Sequence, residues 1–171
     1  MFKPTTFVGL DVHKSSIQVA MLPGRGQPVE WQTTNTLPAV RRLARQLREK
    51  ASGDLLCCYE AGPCGYALQR QLAAKEIPCQ VIAPSLIPVK PGERIKTDRR
   101  DARKLAELLR AGLLTEVHPP TEEDEALRDL CRCRDAVRQD LTRARHRMGK
   151  FLLRRGCTYT QGKRAWGSRH R

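Results

Sequence analysis

Hydrophobic positions in the first part of the chain alternate or cluster at the spacing of strands. Residues 6–11 (TFVGLD) and 15–22 (SSIQVAML) are rich in β-formers and are separated only by Val12, His13 and Lys14, which predicts a hairpin. PGRG at 23–26 is a turn, and 29–33 supplies a third strand of matching length, so this part of the sheet reads as antiparallel. The period then changes. From residue 37, Val40, Leu43, Ala44 and Leu47 fall on one helical face and Arg41, Arg42, Arg45 and Arg48 on the other, predicting a helix that covers the sheet. An apolar run at 54–60 (DLLCCYE), a helical pattern at 66–75 and a strand at 77–82 follow. The order β-β-β-α-β-α-β implies an α/β fold, a mixed sheet with helices packed on it. Residues 83–96 carry three prolines and a glycine and are expected to form a long loop. Thr97 is the expected N-cap of a helix over 98–111.

A different pattern begins after Pro119 and Pro120. Acids at 122–125 favour a helix start, since the macrodipole stabilises negative charge there. Leu127, Leu130, Arg134, Val137, Leu141, Ala144, Met148 and Phe151 then step alternately by three and four residues, a heptad seam with one polar interruption at Arg134. A helix this long with a single apolar stripe calls for a helical hairpin or a second copy to cover it, so a homo-oligomer is expected. The resulting division is a domain at 1–115, a long coiled-coil helix at 116–155 and a basic tail at 156–171.

Charge narrows the class of partner. The chain of 171 residues carries 32 Lys and Arg against 18 Asp and Glu, a net +14, so a polyanion, above all nucleic acid, is the expected partner. Aromatics are 5% of the residues, too few for a surface that recognises bases mainly by stacking. The longest apolar runs are a handful of residues, which leaves no membrane span and points to a cytoplasmic protein. The seven cysteines lack metal-ligand spacing and are expected to be reduced, small buried hydrophobes. Cys131 and Cys133, two apart on a helix, point about 200° from each other, a poor geometry for one zinc ion.

The acids are more informative. Asp11 and Glu60 each end an apolar strand, where a lone carboxylate is costly unless it is paired, metal-bound or at the solvent edge. Asp98 and Asp101, three apart, project from one face of a helix whose Ala102, Leu105 and Leu109 form the adjacent core stripe. Four converging carboxylates would repel one another unless divalent cations neutralised them, and hard oxygen donors select Mg²⁺ or Mn²⁺. Such a centre in a basic protein suits phosphodiester chemistry. A cap or surface charge is the plainer role for each acid. Lys14, Lys96, Arg99, Arg100 and Arg103 flank these acids and could hold a nucleic-acid backbone, or merely balance charge. Arg143, Arg147 and Lys150 belong to a stretch after Asp140 with ten basic residues and no acid, which reads as a phosphate track or a solvated helix face. His13 and the Gly62–Pro63–Gly65 turn are weaker signals, each common in ordinary loops.

In combination, FVGLDVHK at 7–14, YEAGPCG at 59–65, KTDRRDARKLA at 96–106 and FLLRRG at 151–156 resemble the DEDD transposases of the insertion-sequence 110 group. The resemblance implies an RNase H-like (RuvC-like) fold, with Asp11, Glu60, Asp98 and Asp101 as catalytic acids that bind Mg²⁺ or Mn²⁺. It further implies DNA and a structured guide RNA as partners, self-association through the coiled coil, and a nucleoid-associated place in a bacterium. Full-length members of the group continue into a second domain bearing a serine nucleophile, and this chain ends earlier. On that reading it is the metal-binding part of a transposase, inactive alone; the alternative is a catalytically inactive, nucleic-acid-binding dimer. A sugar-kinase-like ATPase shares the opening hairpin but needs a second lobe.

Overall fold

The computed structural model describes residues 5–24, 27–88, 98–158, 160 and 166, with the backbone alone at Asp98. Two compact units result, Met1–Pro119 and Pro120–Arg171.

The first unit is built on six strands: β1 (Thr5–Val12), β2 (Ser16–Leu22), β3 (Val29–Thr34), β4 (Asp54–Glu60), β5 (Cys79–Ile82) and β6 (Glu116–Val117). Their order is β3-β2-β1-β4-β5-β6. The β1–β2 and β2–β3 pairs are antiparallel, and β1–β4 and β4–β5 parallel, so the sheet is mixed as expected. The edge strand β6 is absent from the sequence reading. It pairs antiparallel with β5, Val81 facing Val117 and Ile82 facing Glu116. Helix α2 (Ala67–Ala73) and β5 are both shorter than the patterns at 66–75 and 77–82 suggest. A 3₁₀ turn, Pro84–Leu86, opens the stretch read as loop, while Lys96 and the expected cap Thr97 lie outside the described residues.

Residue alternation assigns the two sheet faces. Val8, Leu10, Ile17, Val19, Cys57, Tyr59 and Val81 share one apolar cluster with Val40, Leu43 and Leu47 of α1 (Leu37–Lys50) and with Leu68 and Leu72 of α2. On the other face Cys58 and Ile82 cluster with Leu105 and Leu109 of α3 (Asp98–Arg110). Helix α3 approaches β1 very closely. A Cβ at Gly9 would lie 2.0 Å from the carbonyl oxygen of Ala102 and 2.6 Å from the amide nitrogen of Ala106. The missing side chain therefore lets helix backbone rest on strand backbone. The Cys58 thiol, 3.7 Å from the Leu105 carbonyl, and Glu30 of β3, which accepts from Arg99 and from Arg103 at 3.3 Å, hold the same helix from either side.

The second unit is dominated by α4 (Glu122–Arg154), whose N-cap Thr121 accepts a hydrogen bond from the Asp124 amide at 3.1 Å. None of its residues is buried: Leu130 is 66% and Val137 63% exposed. The same exposure corrects one expectation about the cysteines. Cys57, Cys58 and Cys79 are core residues, but Cys131, Cys133 and Cys157 are exposed, because the first two ride on an uncovered helix and the third follows it.

Gly9→Ala is expected to destabilise the first unit by about 1–3 kcal/mol, the usual scale of overpacking, whereas Gly62→Ala, whose Cβ would meet only the Glu60 carbonyl at 3.9 Å, leaves stability unchanged. Urea unfolding of the two variants checks this. Burial pushes the Cys58 thiol up to about 12 and raises Cys57 and Cys79 as well. Iodoacetamide at pH 8 is therefore expected to label Cys131, Cys133 and Cys157 in the native chain and to reach the three core thiols only on unfolding, as read by peptide mass.

Candidate functional site

The parallel β1–β4 ladder pairs Val8 with Cys57, Gly9 with Cys58 and Leu10 with Tyr59. The next residues along the two strands are Asp11 and Glu60. Leu10 and Tyr59 point into the cluster under α1 and α2, so strand alternation puts Asp11 and Glu60 on the opposite face, the one α3 covers. Neighbouring strands are about 4.8 Å apart, which makes the two carboxylates neighbours at the carboxyl-terminal edge of the sheet. Glu60 is exposed, and the Asp11 side chain is 22% exposed. Both therefore sit where the sheet meets solvent, a position that tolerates charge and admits a ligand.

Short turns support this edge. The His13 amide donates to the Ser16 carbonyl at 2.8 Å, closing the β1–β2 turn and bringing His13 Nε2 to 3.0 Å from Asp11 Oδ2. Asn35, between β3 and α1, braces the turn: its side chain donates to the His13 carbonyl at 2.8 Å and its backbone amide to the Ser15 carbonyl at 3.0 Å. After Glu60 the chain folds back, with the Tyr59 hydroxyl donating to the Gly65 carbonyl at 2.9 Å and Gly65 at φ 61°, a conformation glycine adopts without strain. The Cys64 thiol, 3.7 Å from the Val12 carbonyl, ties this loop to the end of β1. Asn35 and Cys64 carry no motif by themselves, so nothing in the sequence reading singled them out.

The other expected site residues fall into three groups. Asp101 is half-buried on α3, one residue before the Ala102 that rests on Gly9, and so belongs to the same face as Asp11 and Glu60. Asp98 is the first residue of α3; its side chain and all of Lys96 lie outside the described residues. Arg99 and Arg103 both meet Glu30, whose side chain is only 9% exposed, so these two cations satisfy a nearly buried carboxylate. Arg100 and Lys14 are exposed, as are Arg147 and Lys150 on α4, and Arg143 pairs with Asp140 at 3.1 Å. Among the described residues no group of three or more His, Cys, Asp or Glu side chains is close enough to hold a metal ion. No helix among them is long and apolar enough to cross a membrane.

A family model described as "Transposase", of the DEDD insertion-sequence 110 kind, matches residues 8–155. The chain is 44% identical over 167 residues to a putative transposase, y4qE, of Sinorhizobium fredii, an alignment covering 96% of this chain and 42% of that protein. It is 39% identical over 171 residues to the transposase for insertion sequence element IS1533 of Leptospira borgpetersenii, covering 98% of this chain and 49% of that one. The chain thus spans about half the length of the curated relatives it matches. The mixed sheet with flanking helices is consistent with the RNase H-like fold that the motifs implied. With a match running from within β1 through the end of α4, the chain belongs to the DEDD transposase family of insertion-sequence 110 elements.

Proposed function

We propose that this chain is the metal-binding RuvC-like part of an insertion-sequence transposase and acts in DNA transposition. The observation that carries the reading is the placement of Asp11 and Glu60 at the ends of adjacent parallel strands, on the face covered by the helix that bears Asp101. The donor chemistry supports a hard divalent cation: Asp11, Glu60 and Asp101 offer carboxylate oxygens, which such ions prefer. Asp11, Glu60, Asp98 and Asp101 would hold Mg²⁺ or Mn²⁺. When bound, such ions activate the attacking oxygen and stabilise the leaving one in an in-line phosphodiester displacement.

The chain's own residues divide the remaining work. His13, hydrogen-bonded to Asp11 Oδ2, fixes the rotamer of the first carboxylate, and Asn35 fixes the turn that carries His13. Helix α3, seated on Gly9, sets the height of its carboxylates above the strand ends. Lys14 and Arg100, both exposed, are the cations that would meet phosphates of the DNA strand. Arg99 and Arg103, engaged with Glu30, serve chiefly to hold α3.

Helix α4 supports a second role for the same chain. Leu127, Leu130, Val137, Leu141, Met148 and Phe151 are all about half or more exposed along one stripe. A second copy covers that stripe in a coiled coil, and Arg143, Arg147 and Lys150 outside the seam contact structured guide RNA or DNA. The division of labour would be a catalytic domain over 1–115, a coiled-coil segment over 116–155 and a basic linker beyond.

Mn²⁺ binding followed by electron paramagnetic resonance is expected to weaken at least tenfold in both Asp11→Asn and Glu60→Gln, with Gly62→Ala unaffected; wild-type affinity in both carboxylate variants overturns the metal site. Saturating Mg²⁺ should also raise the unfolding free energy, by about 2.7 kcal/mol at a hundred times Kd. In sedimentation equilibrium at micromolar concentration the chain is expected to be oligomeric, and Leu130→Glu with Leu141→Glu to return it to the monomer mass. A monomeric wild-type chain would end the coiled-coil reading.

A further inference from the structure

The function proposed above leaves the outer face of α1 unused. Its buried residues, Ala39, Val40, Leu43, Ala44 and Leu47, pack on the sheet, so Arg41, Arg45 and Arg48, at i, i+4 and i+7, form a ridge on the solvent side, with Arg42 beside it. The ridge is about 10 Å long at 1.5 Å rise per residue. Arg41 and Arg45 are four apart, and Arg42 and Arg45 three apart. Like charges at those spacings destabilise a helix.

An ordinary solvated face relieves such repulsion with interleaved acids. Here the single acid on α1 is Glu49, and nearby Glu76 is taken up by Arg48, at 3.4 Å. Arg48 also donates to the Lys75 carbonyl, fixing one end of the ridge beside another exposed cation. Among the described residues, Arg41, Arg42 and Arg45 have no ion-pair partner. Some arginines elsewhere are paired: Arg99 and Arg103 share Glu30, Arg132 pairs with Asp129 and Arg143 with Asp140. On α1 the three unpaired guanidiniums lie within about one and a half turns of one short helix. Arginine, with a planar fork of donors, matches phosphate oxygens in a way that a solubilising charge would not require.

Position separates this ridge from the carboxylates. Val8 and Leu10 of β1 face α1, whereas Gly9 faces α3, so the full thickness of the sheet lies between the two surfaces. A phosphate on the ridge cannot be the one presented to Asp11 and Glu60. We propose that Arg41, Arg42 and Arg45 of α1 form a second nucleic-acid contact surface that grips the sugar-phosphate backbone of a duplex segment other than the one at the carboxylates. The contact is sequence-independent and needs no metal, so it stands or falls separately from the metal-site reading.

The test is fluorescence anisotropy of the whole chain with a labelled random-sequence DNA duplex and, separately, a labelled RNA hairpin, in EDTA and across a salt series. Each phosphate contact contributes about 0.9 to the slope of log affinity against log salt. Arg41→Gln/Arg42→Gln/Arg45→Gln, which keeps Arg48, is expected to flatten that slope by about 2–3 and to weaken binding at low salt at least tenfold. The charge-preserving Lys triple should retain the slope. Loss on DNA alone or on RNA alone identifies the backbone that docks. Unchanged slope and affinity on both overturn the proposal. Should the triple variant melt early, Arg45→Gln alone decides: a slope change near 1 supports the ridge and no change refutes it. Because every titration is run in EDTA, a failed metal site leaves this result readable.

Discussion

The contact on which the first unit depends is the seating of α3 on β1 at Gly9, backbone against backbone. Strands and helices ordinarily keep a layer of side chains between them, and here one residue without a Cβ removes that layer. The consequence is positional. A helix held that close has little freedom to tilt or slide, because its carbonyls and amides rather than flexible side chains meet the strand. Cys58 on one flank and the Glu30 pair with Arg99 and Arg103 on the other then limit its rotation. Asp101, one residue before that contact, inherits the fixity that a site assembled from separate parts of a chain requires.

Much of this architecture is legible in the sequence, and the illegible parts have physical reasons. Strand and helix periods located β1 to β5 and all four helices because each buries a stripe long enough to repeat. Strand β6 has two residues and no period of its own; it is a strand only because Val81 and Ile82 offer it a partner. Adjacency is likewise invisible to a periodic pattern. That β1 and β4 are parallel neighbours follows from the crossover through α1, and only that pairing makes Asp11 and Glu60 neighbours rather than two separate strand-end acids. Their ends of strand were suspicious on charge grounds alone, since a carboxylate at the end of an apolar run needs a reason. Glu30 gave no such warning: it lies in a polar strand, and its burial comes from a helix nearly seventy residues away in the chain. The expectation that the cysteines are buried failed at Cys131, Cys133 and Cys157, where residue type alone was followed although the helix they ride on or follow is exposed.

The two units differ most in how they handle apolar surface. The first buries most of its apolar residues and leaves Arg41, Arg42 and Arg45 of α1 without ion pairs among the described residues; the second leaves its apolar stripe exposed and pairs Arg132 and Arg143 along the helix. Exposed leucines at heptad spacing are costly to a helix that remains alone, and that cost vanishes when a copy is bound. Unpaired arginines are costly in the same sense, relieved by a polyanion rather than by an apolar surface. On the proposed reading each unit carries a surface that a partner would relieve, cationic on α1 and apolar on α4, and the two partners differ in kind.

A sheet with carboxylates on one side and an arginine ridge on the other imposes a constraint on the nucleic acid itself. Roughly 10 Å of sheet and side-chain layer on each face is too thick for one phosphate to bridge. On the proposed reading, two separate segments would meet the domain, one at the strand ends and one against α1. Recombination joins distinct stretches of nucleic acid, so a scaffold that presents two such surfaces rigidly, back to back through a common core, suits a process in which one segment is positioned while another is processed. The rigidity comes from the packing of Val8, Leu10 and Tyr59 beneath α1, the same residues whose alternation sends Asp11 and Glu60 to the far side. One strand pattern thereby sets both surfaces at once.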